Sequence, residues 1–241
     1  MKTNLCIPGN WADRSEIVTS IAKSNMGNYI FAGNILLNLK TTIGYEVELF
    51  DRDELLKESF RWAGLVNNVS EEFLEEIDKH SFVIYLSGEC GSLQSAKEIA
   101  MAGMSILNSG GTGIKVETTG KAFTSKQWEY WLYNFEEPNL YQMFVLDSIE
   151  NGDSIFSCGM HNLGYKDTIV SGEEVQYSID LISIFGNYQI IDQPTIKSHQ
   201  TFSSSENDFL FEIIDEQEQP YKGHKLYGNP FGMWRLKRKN P

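Results

Sequence analysis

Three side chains capable of chemistry stand close together in the run Ser157-Cys158-Gly159-Met160-His161-Asn162-Leu163-Gly164-Tyr165-Lys166-Asp167. Cys158 offers a thiol, His161 an imidazole and Asn162 an amide, while Gly159 and Gly164 are of the type that takes positive φ without steric cost. The pattern predicts a tight turn that fixes the directions of these groups. A thiolate nucleophile at Cys158 would need His161 or the distant His199 beside it, and a cation or helix N-terminus to lower its pKa. Zinc would need more: Cys158 and His161 supply two ligands, and neither Cys-x-x-Cys nor His-Glu-x-x-His spacing occurs, so no metal and no cofactor is expected. The plainer alternative is a buried thiol and a histidine that hydrogen-bonds the backbone of a glycine-rich turn. His161 and His199 flank an expected helix over 173–185, and the sequence predicts that they approach one another.

The elements that must hold this turn follow from periodicity and caps. Upstream, strands are expected over 141–149 and 155–157, joined by a hairpin turn at Asn151-Gly152. Downstream, Ser171 with Glu174 reads as a capping box, and Val175, Ile179, Ile182 and Phe185 as the buried stripe of a helix that ends at Gly186. Strand-like segments at 199–203 and 209–214 come next, and the basic run 235–239 reads as an edge strand passing into a solvated tail.

The first third alternates short strands and helices. Strands are expected at 5–7, 29–32, 46–50 and 82–86, with helices capped by Asp13 and by Ser70 and another over 52–62. Two glycine clusters imitate phosphate loops. Residues 87–92 carry no lysine and place Glu89 where an anion would sit, while Gly110-Gly111-Thr112-Gly113 runs from helix to strand, the reverse of a phosphate cradle, so both read as turns. Between them, Leu93, Ala96, Ala100, Gly103 and Leu107 give a helix a narrow face of mostly small residues, suited to lying close on a sheet. The whole predicts an α/β or α+β fold, a mixed sheet with helices packed on it. Residues 1–241 then form one domain, with an N-terminal lobe of 1–90 and a C-terminal lobe of 91–241.

Charge narrows the function classes. Asp and Glu outnumber Lys and Arg by 33 to 20, a formal net charge of −13, which disfavours nucleic acid because neutralising phosphates needs clustered cations. A basic protein partner suits it better than nucleic acid does, and simple solubility is the plainer explanation of the charge taken alone. Cys6, Cys90 and Cys158 are odd in number and far apart, which argues against a disulfide framework and for a reducing compartment. With no leader pattern and no apolar run of membrane-spanning length, no membrane role is expected and the location is expected to be cytoplasmic. The oligomeric state is left open. Further binding candidates are Glu117, which shares a strand face with Lys115 as an ion pair or as a site carboxylate, and Tyr130 and Trp131. These two rings, bordered by Glu129, Glu136 and Glu137, suit an interface anchor as well as a core.

Four stretches taken together, residues 110–117, 157–164, 199–203 and 229–234, resemble an uncharacterised bacterial domain-of-unknown-function family whose members have a Gly-Met-His-like turn after a strand. The resemblance covers the chain from Phe82 onward. Some members are encoded near secreted bacterial toxins, which implies an immunity role, and the family carries no established catalytic residue that could be transferred. Two functional classes follow. One is a non-enzymatic protein that neutralises a toxin by binding it through an acidic surface; the other is a small-molecule or metal-dependent enzyme built on Cys158, His161 and His199.

Overall fold

Along Gly44–Asp51 burial alternates residue by residue at first, Tyr45 and Val47 inward and Glu46 and Glu48 outward, the signature of a strand with one covered face. The computed structural model describes residues 1–239 and shows an α+β fold divided into two compact units, residues 1–90 with 94–135 and residues 91–93 with those from Glu136 on.

The first unit runs β1 (Lys2–Gly9), α1 (Arg14–Ser24), β2 (Tyr29–Ala32), β3 (Ile35–Asn38), β4 (Gly44–Asp51), α2 (Leu56–Ala63), α3 (Glu71–Asp78), β5 (Phe82–Glu89), α4 (Leu93–Leu107), β6 (Gly113–Val116), β7 (Lys121–Thr124) and α5 (Ser125–Tyr133). Its strands form one sheet in the order β2-β3-β4-β5-β1-β6-β7, antiparallel throughout. On one face Leu5, Ile7 and Ile114 meet α4 where Gly103 has no side chain; a Cβ there would stand 2.9 Å from Leu5 Cδ1. On the other, Cys6, Val83 and Ala122 pack with Leu56, Phe60 and Ala63 of α2 and Leu74 and Ile77 of α3. Farther along that face Lys2 pairs with Glu46 at 2.6 Å and the Ser87 hydroxyl donates to Asn4 Oδ1 at 2.8 Å. The expected caps are present: Asp13 accepts from the Glu16 N–H and Ser70 from the Phe73 N–H.

The second unit runs α6 (Glu137–Phe144), β8 (Leu146–Asn151), β9 (Ser154–Cys158), β10 (Asp167–Ser171), α7 (Val175–Ile191), β11 (Thr201–Phe202), β12 (Phe211–Glu216) and β13 (Met233–Arg238). Its sheet, ordered β11-β12-β13-β10-β9-β8, is mixed, because β10 and β13 pair in parallel and the other neighbours are antiparallel. Leu181, Ile182 and Phe185 of α7 cover Ile155, Val170, Phe211, Ile213, Trp234 and Leu236.

Several local expectations change here. Tyr141 lies in a helix, since Leu140, Tyr141, Met143 and Phe144 are buried at helical spacing behind a first-turn proline. Gly186 is inside α7 rather than at its end: a Cβ there would lie 2.3 Å from Tyr141 Cε2, so the glycine makes room for the ring. Glu174 rather than Ser171 caps this helix, accepting from the Gln176 and Tyr177 N–H groups, while Ser171 closes β10. The run 235–239 is no edge, for β13 stands between β12 and β10. The helix expected over 52–62 starts at Leu56, behind a turn in which Asp53 Oδ1 accepts from the Leu55 N–H at 2.9 Å.

Alanine is intrinsically the better helix residue by about 1 kcal/mol, yet overpacking against an aromatic ring costs about 1–3 kcal/mol. Gly186→Ala is therefore expected to lower the urea midpoint of unfolding. A midpoint that holds or rises would show that the Tyr141 ring moves aside freely.

Candidate functional site

The turn after β9 is specified by its backbone and by one buried carboxylate. Gly159 takes φ 120°, residues Met160–Leu163 make a short 3-10 helix, and Gly164 takes φ 90°. A Cβ at Gly164 would come within 2.5 Å of the Gly91 carbonyl oxygen, so both conformation and space require glycine. Asp167, the first residue of β10, holds the turn shut. Its Oδ1 accepts from the Met160 N–H at 3.1 Å and the Ser157 hydroxyl at 3.3 Å, and its Oδ2 from the Asn229 amide at 2.7 Å. Ser157 Oγ also accepts from the Thr168 N–H at 2.8 Å, and the Asn162 amide donates to the Gly159 carbonyl at 2.9 Å.

Cys158, His161 and Asn162 are all buried. The Cys158 thiol donates to the Tyr227 carbonyl at 3.8 Å, and burial, helped by the Asp167 charge, pushes its pKa well up, away from a thiolate. His161 is 1% exposed, neither ring nitrogen has a hydrogen-bond partner, and burial pulls it down to about 4. His199 is its opposite: exposed, with Nδ1 2.8 Å from Glu212 Oε1. No hydrogen bond joins the two imidazoles, one lying in the interior and one at the surface, so the expected pair is not formed. Among the described residues no group of three or more His, Cys, Asp and Glu side chains could hold a metal ion.

The other expected site residues fall elsewhere. Glu117 pairs with Lys115 at 3.0 Å along its own strand edge, and the same ammonium donates to Ser59 Oγ at 2.7 Å. Tyr130 is exposed on α5 of the first unit, its ring edge-on to Trp131 at 5.1 Å, whereas Glu136 and Glu137 are exposed at the start of α6 in the second.

Sequence reasoning missed two features. Asp167 ends the motif in the sequence, where nothing local marks a carboxylate as buried. The second is a groove of about 680 Å³ in the first unit, lined by Glu48, Phe50, Asp51, Arg52, Asp53, Glu54, Val83 and Tyr85. Here Arg52 is engaged by Asp78, at 3.0 Å, and Glu48, Asp51 and Glu54 have no cationic partner among the described residues. Phe50 is exposed and meets Tyr85 edge-on at 5.6 Å. The signal was the acidic run 46–54, alternating out of a strand into a turn. No family model, curated protein or solved structure matches this chain, and among the described residues no helix is long and apolar enough to cross a membrane.

Two buried ionisable groups of the second unit, Asp167 and His161, impose opposite pH dependences. Burial pushes Asp167 from 3.8 up to about 7, against hydrogen bonds from Asn229, Met160, Ser157 and Gly159 that favour its charged form. Its contribution to stability is complete below 3.8 and is lost as pH rises through about 7. His161, lowered from 6.5 to about 4, contributes fully above 6.5 and loses that contribution as pH falls through about 4. Each effect is of the order of a few kcal/mol, so they offset one another in the wild type. His161→Leu is expected to give a protein whose stability falls as pH rises from about 4 to about 7, and Asp167→Asn one whose stability rises over that interval. Denaturant unfolding at several pH values decides it; variants that keep the wild-type slope would remove both assignments. Gly164→Ala, measured at one pH, is expected to cost more than about 1 kcal/mol, beyond the usual helix or strand penalty.

Proposed function

We propose that the protein binds a basic protein partner directly, the acidic groove of the first unit receiving lysine or arginine side chains, and that it is an immunity-type protein neutralising a bacterial toxin by occlusion. The observation that carries this reading is the groove itself, where Glu48, Asp51, Asp53 and Glu54 surround the exposed ring of Phe50. A partner's cations would neutralise carboxylates that the protein leaves uncompensated, and the edge-on Phe50 and Tyr85 rings offer the kind of aromatic anchor on which interface energy concentrates. The net charge of −13 adds long-range attraction, which speeds encounter more than it deepens affinity. The resemblance to a family with members encoded beside secreted toxins supports a toxin as that partner. Three cysteines in no disulfide suit a cytoplasmic site of action.

The test uses the product of the neighbouring gene as the partner. Association followed by stopped flow is expected to slow by about tenfold or more between low and high salt. Replacing Glu48, Asp51 and Glu54 together by their amides should slow association in the same way at low salt, while Phe50→Ala should mainly speed dissociation. All four side chains are exposed, so folding should be unaffected. An association rate indifferent to salt and to the amide substitutions, or a neighbour that never binds, would sink the proposal.

A further inference from the structure

One side of α2 is an uncovered apolar ridge. Leu55, just before the helix, is 76% exposed and Trp62 67%, and Leu65 and Val66, in the single 3-10 turn (Leu65–Asn67) that follows, are exposed as well. The spacing aligns them. Seven residues make about two helical turns, so Leu55 and Trp62 stand one above the other, with Val66 about one turn further along and Leu65 at its side. Leu56, Phe60 and Ala63 of the same helix are the side chains turned into the core. The ridge is about 16 Å long, and an exposed apolar run of this kind marks a place where another surface docks. It begins where the acidic groove ends: Glu54 lines the groove, and the Leu55 N–H donates to Asp53 Oδ1 of the same lining at 2.9 Å. The neighbouring cations are already engaged. Arg52 pairs with Asp78, Lys57 with Glu75 at 2.5 Å and Arg61 with Glu58 at 3.1 Å, so none of the three is left to offset Glu48, Asp51 and Glu54.

We propose that ridge and groove together seat one amphipathic helix of the basic protein partner, its lysine or arginine side chains in the groove and its apolar stripe on Leu55, Trp62, Leu65 and Val66. The inference rests on the groove receiving cations, as argued above, and names the kind of segment that the partner presents. Shape and charge select it. A ridge of apolar side chains at helical spacing matches the stripe of a second helix, which repeats at i, i+3, i+4 and i+7, and Trp62 is of the residue type on which interface energy concentrates. The charge next to the ridge is negative, so the helix that covers it carries cations at the end that reaches the groove. A second copy of this chain fits less well: its own ridge cations are paired within it, and each copy carries a net charge of −13.

The probe is a synthetic peptide of about 18 residues, long enough to hold a helix, with leucines along one face and arginines in its last turns. A peptide of the same composition with the leucines scattered around the helix, and one with glutamate in place of arginine, are the counterparts. Binding to the full chain is followed by ¹⁵N–¹H NMR of the Trp62 indole N–H, and affinities of variants by the anisotropy of labelled peptide. The amphipathic peptide is expected to shift the indole signal saturably, the scattered one to bind at least about tenfold more weakly, and the acidic one to leave the signal in place. Leu55→Ala with Trp62→Ala is expected to weaken binding by about tenfold or more through faster dissociation. Both side chains are exposed, so the core is untouched, and the wild-type indole signal decides even should that variant fail to fold. An indole signal that no peptide moves, equal binding of the scattered peptide, or affinity undiminished in the double variant would overturn the proposal, as would a dimer, seen by light scattering, that the double variant dissociates. With the neighbouring gene's product in place of the peptide, association that responds to salt and to the amide substitutions, together with dissociation that ignores the double variant, would leave the groove reading standing and remove this one.

Discussion

Everything distinctive in the second unit depends on burying one carboxylate with enough donors around it. Taking Asp167 out of water is expensive, and the Met160 N–H, the Ser157 hydroxyl and the Asn229 amide offset part of that cost. Those donors come from β9, from the glycine-framed turn and from the loop before β13. Satisfying one side chain therefore fixes three segments relative to β10. With the geometry set, Cys158 and His161 are held in the interior, and the turn that looks most chemical in the sequence ties these segments together.

This division between buried turn and surface explains what could be read from the amino acids. The caps at Asp13 and Ser70 and the hairpin at Asn151-Gly152 are local devices, and each is found where the sequence places it. Tyr141 and Gly186 were misread because each makes sense only through the other, across a helix pair that no window of sequence contains. Asp167 and Asn229 are 62 positions apart, so the pairing that makes the turn structural was equally out of reach. The acidic groove was half legible: the run 46–54 announces its charge, but its cavity needs Tyr85 and Val83 from the neighbouring β5.

The two units differ in the way they hold charge. In the first unit carboxylates gather on exposed backbone at the end of β4, where water already solvates them and their repulsion costs little. In the second, Lys166 is laid on the Trp234 indole and the Gln189 amide nitrogen is left unpaired in the interior.

The position of β13 has a kinetic consequence. β12 precedes it in the chain but reaches β10 only through it, so β11 and β12 have no place in the sheet until β13 has been made and has paired with β10. On the ribosome, β10 therefore waits with one open edge while the chain that will cover it is still being synthesised. Until it is covered, this edge is open to pairing with a neighbouring nascent chain.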